Sequence, residues 1–266
     1  MTTEPRLPVS VCIIAGNEAS RIRRALESVS GWSSEIIVVL NDDANDGTDQ
    51  IASEFGAKVF RESWKGHIAQ KNSAAEKAGQ PWLLGLDADE MISPELAAEI
   101  KKLFSAPETI SDFTAFSLPR CSFYLGRWIR HGDWYPDRKI RLWRRGKASW
   151  GGTDPHDAIQ TTGPVGRLRG DLLHYSMENL NHHVRKTIGY SDIFARQQLA
   201  HGRSASFFQM WFRPAWRFVR CYFLRLGFLD GWQGYAIARM IAFETFLRYA
   251  KLREAQAKNT GDNLRS

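Results

Sequence analysis

The chain has 266 residues, a hydrophobic fraction of 43% and a net charge of +7 at pH 7, which is ordinary for a globular protein of one large domain or one domain with an appended module. Its three cysteines, Cys12, Cys121 and Cys221, are far apart and lack CxxC spacing, which argues against a disulfide framework or a structural zinc site and indicates a reducing compartment. The positive charge favours anionic partners such as nucleotides, nucleic acid or acidic lipid headgroups.

The first hundred residues alternate short apolar runs with helical patterns. Strands are predicted for VSVCIIAG (9–16), EIIVVL (35–40), AKVF (57–60) and WLLGL (82–86), and helices for 20–31, 48–55 and 67–78. This alternation predicts a parallel sheet covered on both faces, that is, a doubly wound α/β domain. In such sheets, ligands bind beyond the carboxyl ends of the strands.

Polar side chains follow three of these predicted strands. They are Asn17 and Glu18 after the first strand, Asn41, Asp42 and Asp43 after the second, and Asp87, Asp89 and Glu90 after the fourth. Because parallel strands present their carboxyl ends at one edge of a sheet, we expect a polar and mostly acidic edge there.

The acids of LLGLDADEMI, residues 83–92, are not needed to cap the helix that follows. Ser93 supplies an N-cap and Pro94 occupies the first helical position. In an extended segment Asp87 and Asp89 project to the same side, and two such oxygen ligands suit Mg²⁺ or Mn²⁺. A cation site is therefore one interpretation and a solvated loop the other.

From about residue 111 the pattern changes to antiparallel strands, and from Ser176 it becomes mostly helical. The predicted turns lie at Gly126, Gly132, Pro136 and Gly146. Within this part KIRLWRR, residues 139–145, alternates basic and apolar side chains, as a half-buried strand does.

Aromatic residues and arginines are interleaved between Phe207 and Tyr249, with Arg213, Arg217 and Arg220 on one helical face. This composition suits a helix that lies in a membrane interface. The alternative is a helical cap with its aromatic residues in a core, and stacking on nucleic-acid bases ranks third. No secretory signal is evident, and no uncharged apolar run approaches the ~18 residues of a membrane span.

Several motifs in matching order resemble the family-2 inverting glycosyltransferases of GT-A fold. VSVCIIAGNEASRIRRALESV resembles their first strand and helix, EIIVVLNDDANDGT their second strand and loop, and WKGHIAQKNSAAEKAGQPWLLGLDADEMIS the approach to their DxD motif. WYPDRKIRLWRRGKASW, HYSMENL and GFLDGWQGYAIA extend the likeness to the β-1,4-glucosyltransferases of the lipopolysaccharide or lipooligosaccharide inner core. The resemblance covers most of the chain and is more specific for the superfamily than for the sugar.

The resemblance implies a Rossmann-like nucleotide-binding sheet, a small antiparallel acceptor part and a C-terminal helical region rich in aromatic residues and arginine. The expected boundaries are a GT-A domain over 7–175, with a nucleotide-sugar half over about 7–110 and an acceptor half over about 111–175, a membrane-proximal region over 176–255 and a tail over 256–266.

The same resemblance implies roles for the strand-end residues. Asp89 would bind the Mg²⁺ or Mn²⁺ that bridges the donor diphosphate, and Asp87 would lie near the ribose and the metal. Asn17 and Glu18 would line the nucleotide pocket. Asn41 stands where the family usually has an aspartate that contacts uracil; an amide can make equivalent hydrogen bonds. The alternatives for this contact are Asp42 and Asp43.

An inverting transfer also needs a base for the acceptor hydroxyl. GGTDPHDAI supplies Asp157, which the resemblance implies as this base, with Asp154 as the rival and a turn or capping role as the alternative for either. His156 could orient the acceptor, bind the metal or support the loop. Lys71, Arg138, Arg141, Arg144 and Arg145 are the candidate phosphate contacts.

The implied partners are a UDP-hexose donor, with UDP-glucose as the favoured one, and a lipid-linked core oligosaccharide acceptor. We expect peripheral contact with anionic lipid at the cytoplasmic face of the inner membrane and no nucleic-acid partner. The alternatives are a glycosyltransferase for another cell-surface polysaccharide, or a non-catalytic protein of the same fold that binds acidic lipid or nucleic acid.

Overall fold

The computed structural model describes residues 5–153, 156–177 and 179–263. Its strands are β1 (Leu7–Ala15), β2 (Ser33–Asn41), β3 (Lys58–Glu62), β4 (Trp82–Asp87), β5 (Glu90–Ile92), β6 (Ala115–Tyr124), β7 (Arg127–Trp128), β8 (Asp137–Arg144), β9 (Ser149–Thr153), β10 (His156–Gln160), β11 (Val165–Arg167) and β12 (Leu172–Met177). Its α-helices are α1 (Ile22–Ser30), α2 (Thr48–Glu54), α3 (His67–Glu76), α4 (Pro94–Phe104), α5 (Pro107–Ser111), α6 (Leu180–Ala200), α7 (Phe207–Val219) and α8 (Gly231–Asn263).

The parallel part of the sheet contains β3, β2, β1 and β4, in that order. Ile13 of β1 lies opposite Val38 of β2 and Leu86 of β4. Val11 and Ile13 belong to one hydrophobic core, whereas Cys12 belongs to another on the opposite face. Both faces of β1 are therefore buried, which is why its sequence is continuously apolar rather than alternating.

Beyond β4 the sheet continues with β8, β6, β12 and β5. Here β8 is antiparallel to both β4 and β6, and β12 is antiparallel to β5. The strands β9 and β10 form a separate antiparallel pair. The predicted α/β fold with an antiparallel part and a C-terminal helical region is confirmed.

The chain forms two compact units. Unit 1 comprises Met1–Cys121 and Asp137–His174, and unit 2 comprises Ser122–Pro136 and Tyr175–Ser266. Unit 2 has one apolar cluster around Tyr124, Ile129, Cys221 and Ile237, and another around Tyr249. No helix within the described ranges combines the length and the apolar character needed to cross a membrane.

His183 of α6 gives the stability of unit 2 a pH dependence. The side chain is only 5% exposed, and its Nδ1 lies 2.8 Å from the hydroxyl of Tyr124. Burial, assisted by the positive charges of Lys186 and His182, lowers the pKa of His183 to about 4. The unfolded chain, with an ordinary histidine pKa of about 6.5, therefore takes up this proton first as the pH falls.

The contribution of His183 is consequently complete above about pH 6.5 and is lost as the pH falls toward its folded-state pKa. We expect this residue to reduce the free energy of unfolding by about 2 kcal/mol between pH 7 and pH 5. In urea unfolding, the free energy of unfolding of a His183→Gln variant should change by about 2 kcal/mol less between pH 7 and pH 5 than that of the wild type. The exposed His201→Gln should keep the wild-type slope, and equal slopes for His183→Gln and wild type would contradict the prediction.

Candidate functional site

The carboxyl ends of β1, β2 and β4 lie side by side. Ala15 pairs with Leu40 of β2, and Ile14 pairs with Asp87 of β4. The loops that carry Asn17 and Asn41 therefore start next to Asp87, as expected for parallel strands.

The loop after β1 is hydrogen-bonded to the start of α2. The side-chain oxygen of Asn17 accepts from the backbone N–H of Asn45 at 2.9 Å, and the backbone N–H of Glu18 donates to Thr48 Oγ1 at 2.9 Å. Asp46 accepts from the Thr48 hydroxyl, and this bond, with one from a backbone N–H of the first loop, lowers the pKa of Asp46. The two loops are thus held together at the strand ends.

Asn41 and Asp42 point to different surroundings. The amide nitrogen of Asn41 lies 3.5 Å from the position a Cβ would take on Gly16, so the side chain lies against the end of β1. Asp42 is exposed, and its Oδ2 accepts from Ser63 Oγ at 2.5 Å, beyond the end of β3. Of the two, Asn41 is the one beside β1.

Asp87 is held by two cations from distant parts of the chain. Its Oδ1 lies 2.8 Å from Lys71 Nζ of α3, and its Oδ2 lies 2.8 Å from Arg141 Nη2 of β8. Burial alone would raise the pKa of Asp87, but Arg141 and Lys71 together hold it far below its usual range. Asp87 is therefore ionised, and both of its oxygens already have cationic partners.

Glu90 explains why three acids can crowd within four positions. It is fully buried, pairs with Arg141 Nη2 at 2.8 Å and accepts from the backbone N–H of Asp87 at 3.1 Å. Burial alone would lower the pKa of Arg141, but Asp87 and Glu90 raise it above its ordinary value, so the guanidinium stays charged. Glu90, to which the sequence assigns no role, is the buried counter-ion of Arg141.

Asp89 faces a residue that sequence reasoning missed, His174. β12 pairs with β5 so that His174 lies opposite Glu90, and its Nε2 reaches to 3.3 Å from Asp89 Oδ2. No group of three His, Cys, Asp or Glu residues in the described part of the chain could hold a metal ion. The Asp89 carboxylate nevertheless fits Mn²⁺ or Mg²⁺ when water and phosphate oxygens complete the coordination, and the imidazole fits Mn²⁺ better than Mg²⁺, which prefers oxygen ligands. In the sequence, the only feature that could have pointed to His174 is its place in the HYSMENL motif.

Lys71 also binds Asp157 of β10. Its Nζ lies 2.8 Å from Asp157 Oδ2 and 4.3 Å from the ring centre of Trp150. A Cβ on Gly85 would lie 2.7 Å from Trp150, so only glycine in β4 leaves room for this ring. A single buried lysine thus brings the predicted base to the acidic strand end.

The remaining candidates are not joined to this group. Arg138 Nη1 donates to the carbonyls of Ser117 and Leu168 at 3.3 and 3.1 Å. Asp154 lies outside the described residues. His156 pairs through its backbone with Thr153, but its side chain is outside the described part.

These observations agree with a comparison of the chain against known families. Residues 10–164 match the family described as Glycosyl transferase family 2. The chain belongs to glycosyl transferase family 2.

Individual proteins support the same assignment. An uncharacterised glycosyltransferase of Rickettsia typhi is 33% identical, with 94% of this chain and 88% of the relative covered. The lipopolysaccharide core biosynthesis glycosyltransferase LpsC of Rhizobium meliloti is 28% identical, with 98% and 97% covered. The crystal structure of S. aureus TarS 1–349 in complex with UDP-GlcNAc superposes with a TM-score of 0.51 at 13% identity and covers 95% of this chain and 92% of that one. The predicted family and its GT-A fold are confirmed.

Proposed function

We propose that this glycosyltransferase moves a hexose onto the core oligosaccharide of lipopolysaccharide or lipooligosaccharide. Glucose is the favoured sugar, with UDP-glucose as its donor. The observation that carries the proposal is the Lys71 bridge, which brings Asp157 of β10 beside the DxD segment of β4. The relative named for lipopolysaccharide core biosynthesis supports the acceptor class, and the UDP-GlcNAc bound by TarS supports a uridine donor.

The donor nucleotide would occupy the edge formed by β1, β2 and β4. Asn41 would hydrogen-bond the base, because it lies beside β1 whereas Asp42 is engaged by Ser63. Asn17 and Glu18 would line the pocket, and Asp87 would face the ribose. Arg141 would act indirectly, by holding Asp87 and Glu90 in place.

Asp89 and His174 are the residues that would hold Mg²⁺ or Mn²⁺. When bound there, the cation would supply positive charge that stabilises the negative charge developing on the departing diphosphate. Lys71, whose ammonium lies between Asp87 and Asp157, would add a positive charge of the protein itself near that region.

Asp157 would take the proton of the acceptor hydroxyl as its oxygen attacks the anomeric carbon. The attack comes from the face opposite the departing diphosphate, so the configuration inverts in one displacement without a covalent intermediate. Arg138 and His156 remain candidates for acceptor contacts. We place the acceptor half over 111–175 and the reaction at the cytoplasmic face of the inner membrane, with the helical region near the lipid.

A donor screen tests the proposal. The purified protein would be incubated with UDP-glucose, UDP-galactose, UDP-GlcNAc and GDP-mannose, each with Mn²⁺, Mg²⁺ or EDTA, on a core acceptor that lacks the outer sugars. We expect metal-dependent transfer from UDP-glucose, and a core one hexose lighter in cells without the gene, measured by mass spectrometry. A folded protein that transfers no hexose from any donor would refute the proposal.

A further inference from the structure

The apolar face of α7 is exposed. Its apolar residues recur at the spacing of one helical face, as they do in a helix that packs on a core. This aromatic stripe consists of Phe208, Trp211, Phe212, Ala215, Trp216 and Val219, and every member is exposed. Phe208 is 68% and Trp211 is 71% exposed, so the interpretation of these aromatic residues as a core does not hold for the stripe.

The exposed apolar surface continues past the end of α7. Its further members are Phe223, Leu224, Leu226, Phe228, Leu229 and Trp232, each more than 40% exposed. Large apolar side chains exposed in such number along one segment are typical of a site of contact with a membrane or another macromolecule.

Three arginines at the end of the stripe surround one buried carboxylate. Arg217, Arg220 and Arg225, the arginine cluster, approach the oxygens of Asp133 at 3.1, 3.5 and 3.3 Å. Asp133 is 7% exposed, whereas the arginine side chains are 33–47% exposed. Three guanidinium groups on one carboxylate leave two positive charges in excess, and the exposed parts of the arginines can donate to a further anion.

Acidic side chains do not offset this charge. Asp230 is the only acidic residue between positions 205 and 243; it is buried and accepts hydrogen bonds from the backbone of Arg130 and His131. The next acidic residue, Glu244, pairs with Arg248. The surface of this segment is therefore apolar and cationic.

We propose that the arginine cluster is a binding site for the phosphate of an anionic lipid, and that the aromatic stripe enters the interfacial layer of the bilayer beside it. Trp and Phe side chains favour that layer, and arginine can bind a lipid phosphate bidentately while its stem lies along the apolar surface. This site specifies the membrane contact that belongs to the proposed function. It depends on the proposed function only in that the bilayer is taken to be the one that carries the acceptor.

The charge of the cluster favours a bilayer over a second copy of the chain. In a two-fold symmetric dimer the same patch meets itself, so two clusters with excess positive charge would be brought together. An anionic bilayer instead supplies the opposite charge together with an apolar layer for the stripe.

Vesicle flotation of the full chain tests the site. We expect binding to vesicles in which about one third of the lipid is phosphatidylglycerol and weak binding to pure phosphatidylcholine, with a loss of binding as salt rises from about 50 to 500 mM. Arg225→Gln should weaken binding to the anionic vesicles about fivefold. Trp211→Ser should weaken it about tenfold or more.

Two controls match these variants in exposure and chemistry. Arg23→Gln removes an arginine that is 48% exposed, against 47% for Arg225, and Trp64→Ser removes a tryptophan that is 49% exposed in unit 1. Both should bind vesicles as the wild type does. Wild-type binding by Arg225→Gln would overturn the phosphate site, and wild-type binding by Trp211→Ser would overturn insertion of the stripe.

Two further outcomes would assign the surface to another partner and overturn the proposal. In both outcomes the wild type does not bind vesicles. In the first, it forms a dimer that is lost in Arg225→Gln and Trp211→Ser. In the second, it binds single-stranded RNA, and the same two variants lose that binding. UDP-glucose binding measured in lipid-free buffer separates this test from the proposed function. If the protein binds vesicles but no nucleotide sugar, only the proposed function is refuted. If it binds UDP-glucose but no vesicles, only the lipid site is refuted.

Discussion

Asp89→Ala is expected to reduce sugar transfer by about 10³-fold while the protein stays folded, because it removes the carboxylate that would hold the metal at the leaving diphosphate. Asp89 lies in the turn between β4 and β5, and its side chain pairs with His174 at 3.3 Å. It is not among the acids that pair with Arg141, so its loss leaves that buried ion-pair network intact.

The measurement is the initial rate of transfer from UDP-glucose, together with UDP binding by calorimetry with and without Mn²⁺. In Asp89→Ala the dependence of UDP binding on Mn²⁺ should disappear, and His174→Ala should raise the Mn²⁺ concentration needed for half-maximal activity. Asp112→Asn, at an exposed acid after α5, should behave as the wild type. Retention of more than about a tenth of the wild-type rate by Asp89→Ala would exclude it as the metal ligand.

The parallel sheet could be predicted because its signals are local. Continuous apolar runs mark strands that are buried on both faces, and β1 shows the cause, since neighbouring residues in it belong to different cores. The N-cap Ser93 accepts from Leu96 N at 3.1 Å, as its position before Pro94 predicted. Such features depend on residues close in sequence.

The partners of the acids could not be predicted because they come from far along the chain. Arg141 is separated from Asp87 by 54 positions and Lys71 from Asp157 by 86. The alternation in KIRLWRR predicted a half-buried strand, in which the apolar side chains would be buried, yet Arg141 is buried as well. Its neighbours are two carboxylates, and that pairing depends on β8 lying next to β4.

The helix α7 shows a different limit. Its periodicity predicts an amphipathic helix, but periodicity alone does not say whether the apolar face meets a core. Phe218, off the stripe, packs against the cluster of unit 2, whereas Trp211 and Trp216 on the stripe are exposed. Which face of the helix is buried depends on where the neighbouring helices lie, and the sequence of α7 alone does not contain that information.

Asp157→Asn is the second substitution expected to have a large effect, with a loss of about 10²–10⁴-fold in the rate of transfer and little change in UDP-glucose binding. An asparagine has nearly the same shape and can still accept a hydrogen bond from Lys71, but it cannot take the proton of the acceptor hydroxyl. The expected signature is thus a low kcat with a nearly unchanged KM for the donor.

A variant of the partner lysine separates this role from a structural one. Lys71→Met removes a contact to both Asp87 and Asp157, so it should weaken donor binding as well as the rate. That contrast follows from the geometry, since Lys71 contacts both Asp87 and Asp157, whereas Asp157→Asn alters only one of these two acids. Full activity in Asp157→Asn would exclude it as the base, and Asp154→Asn would then be the variant to test.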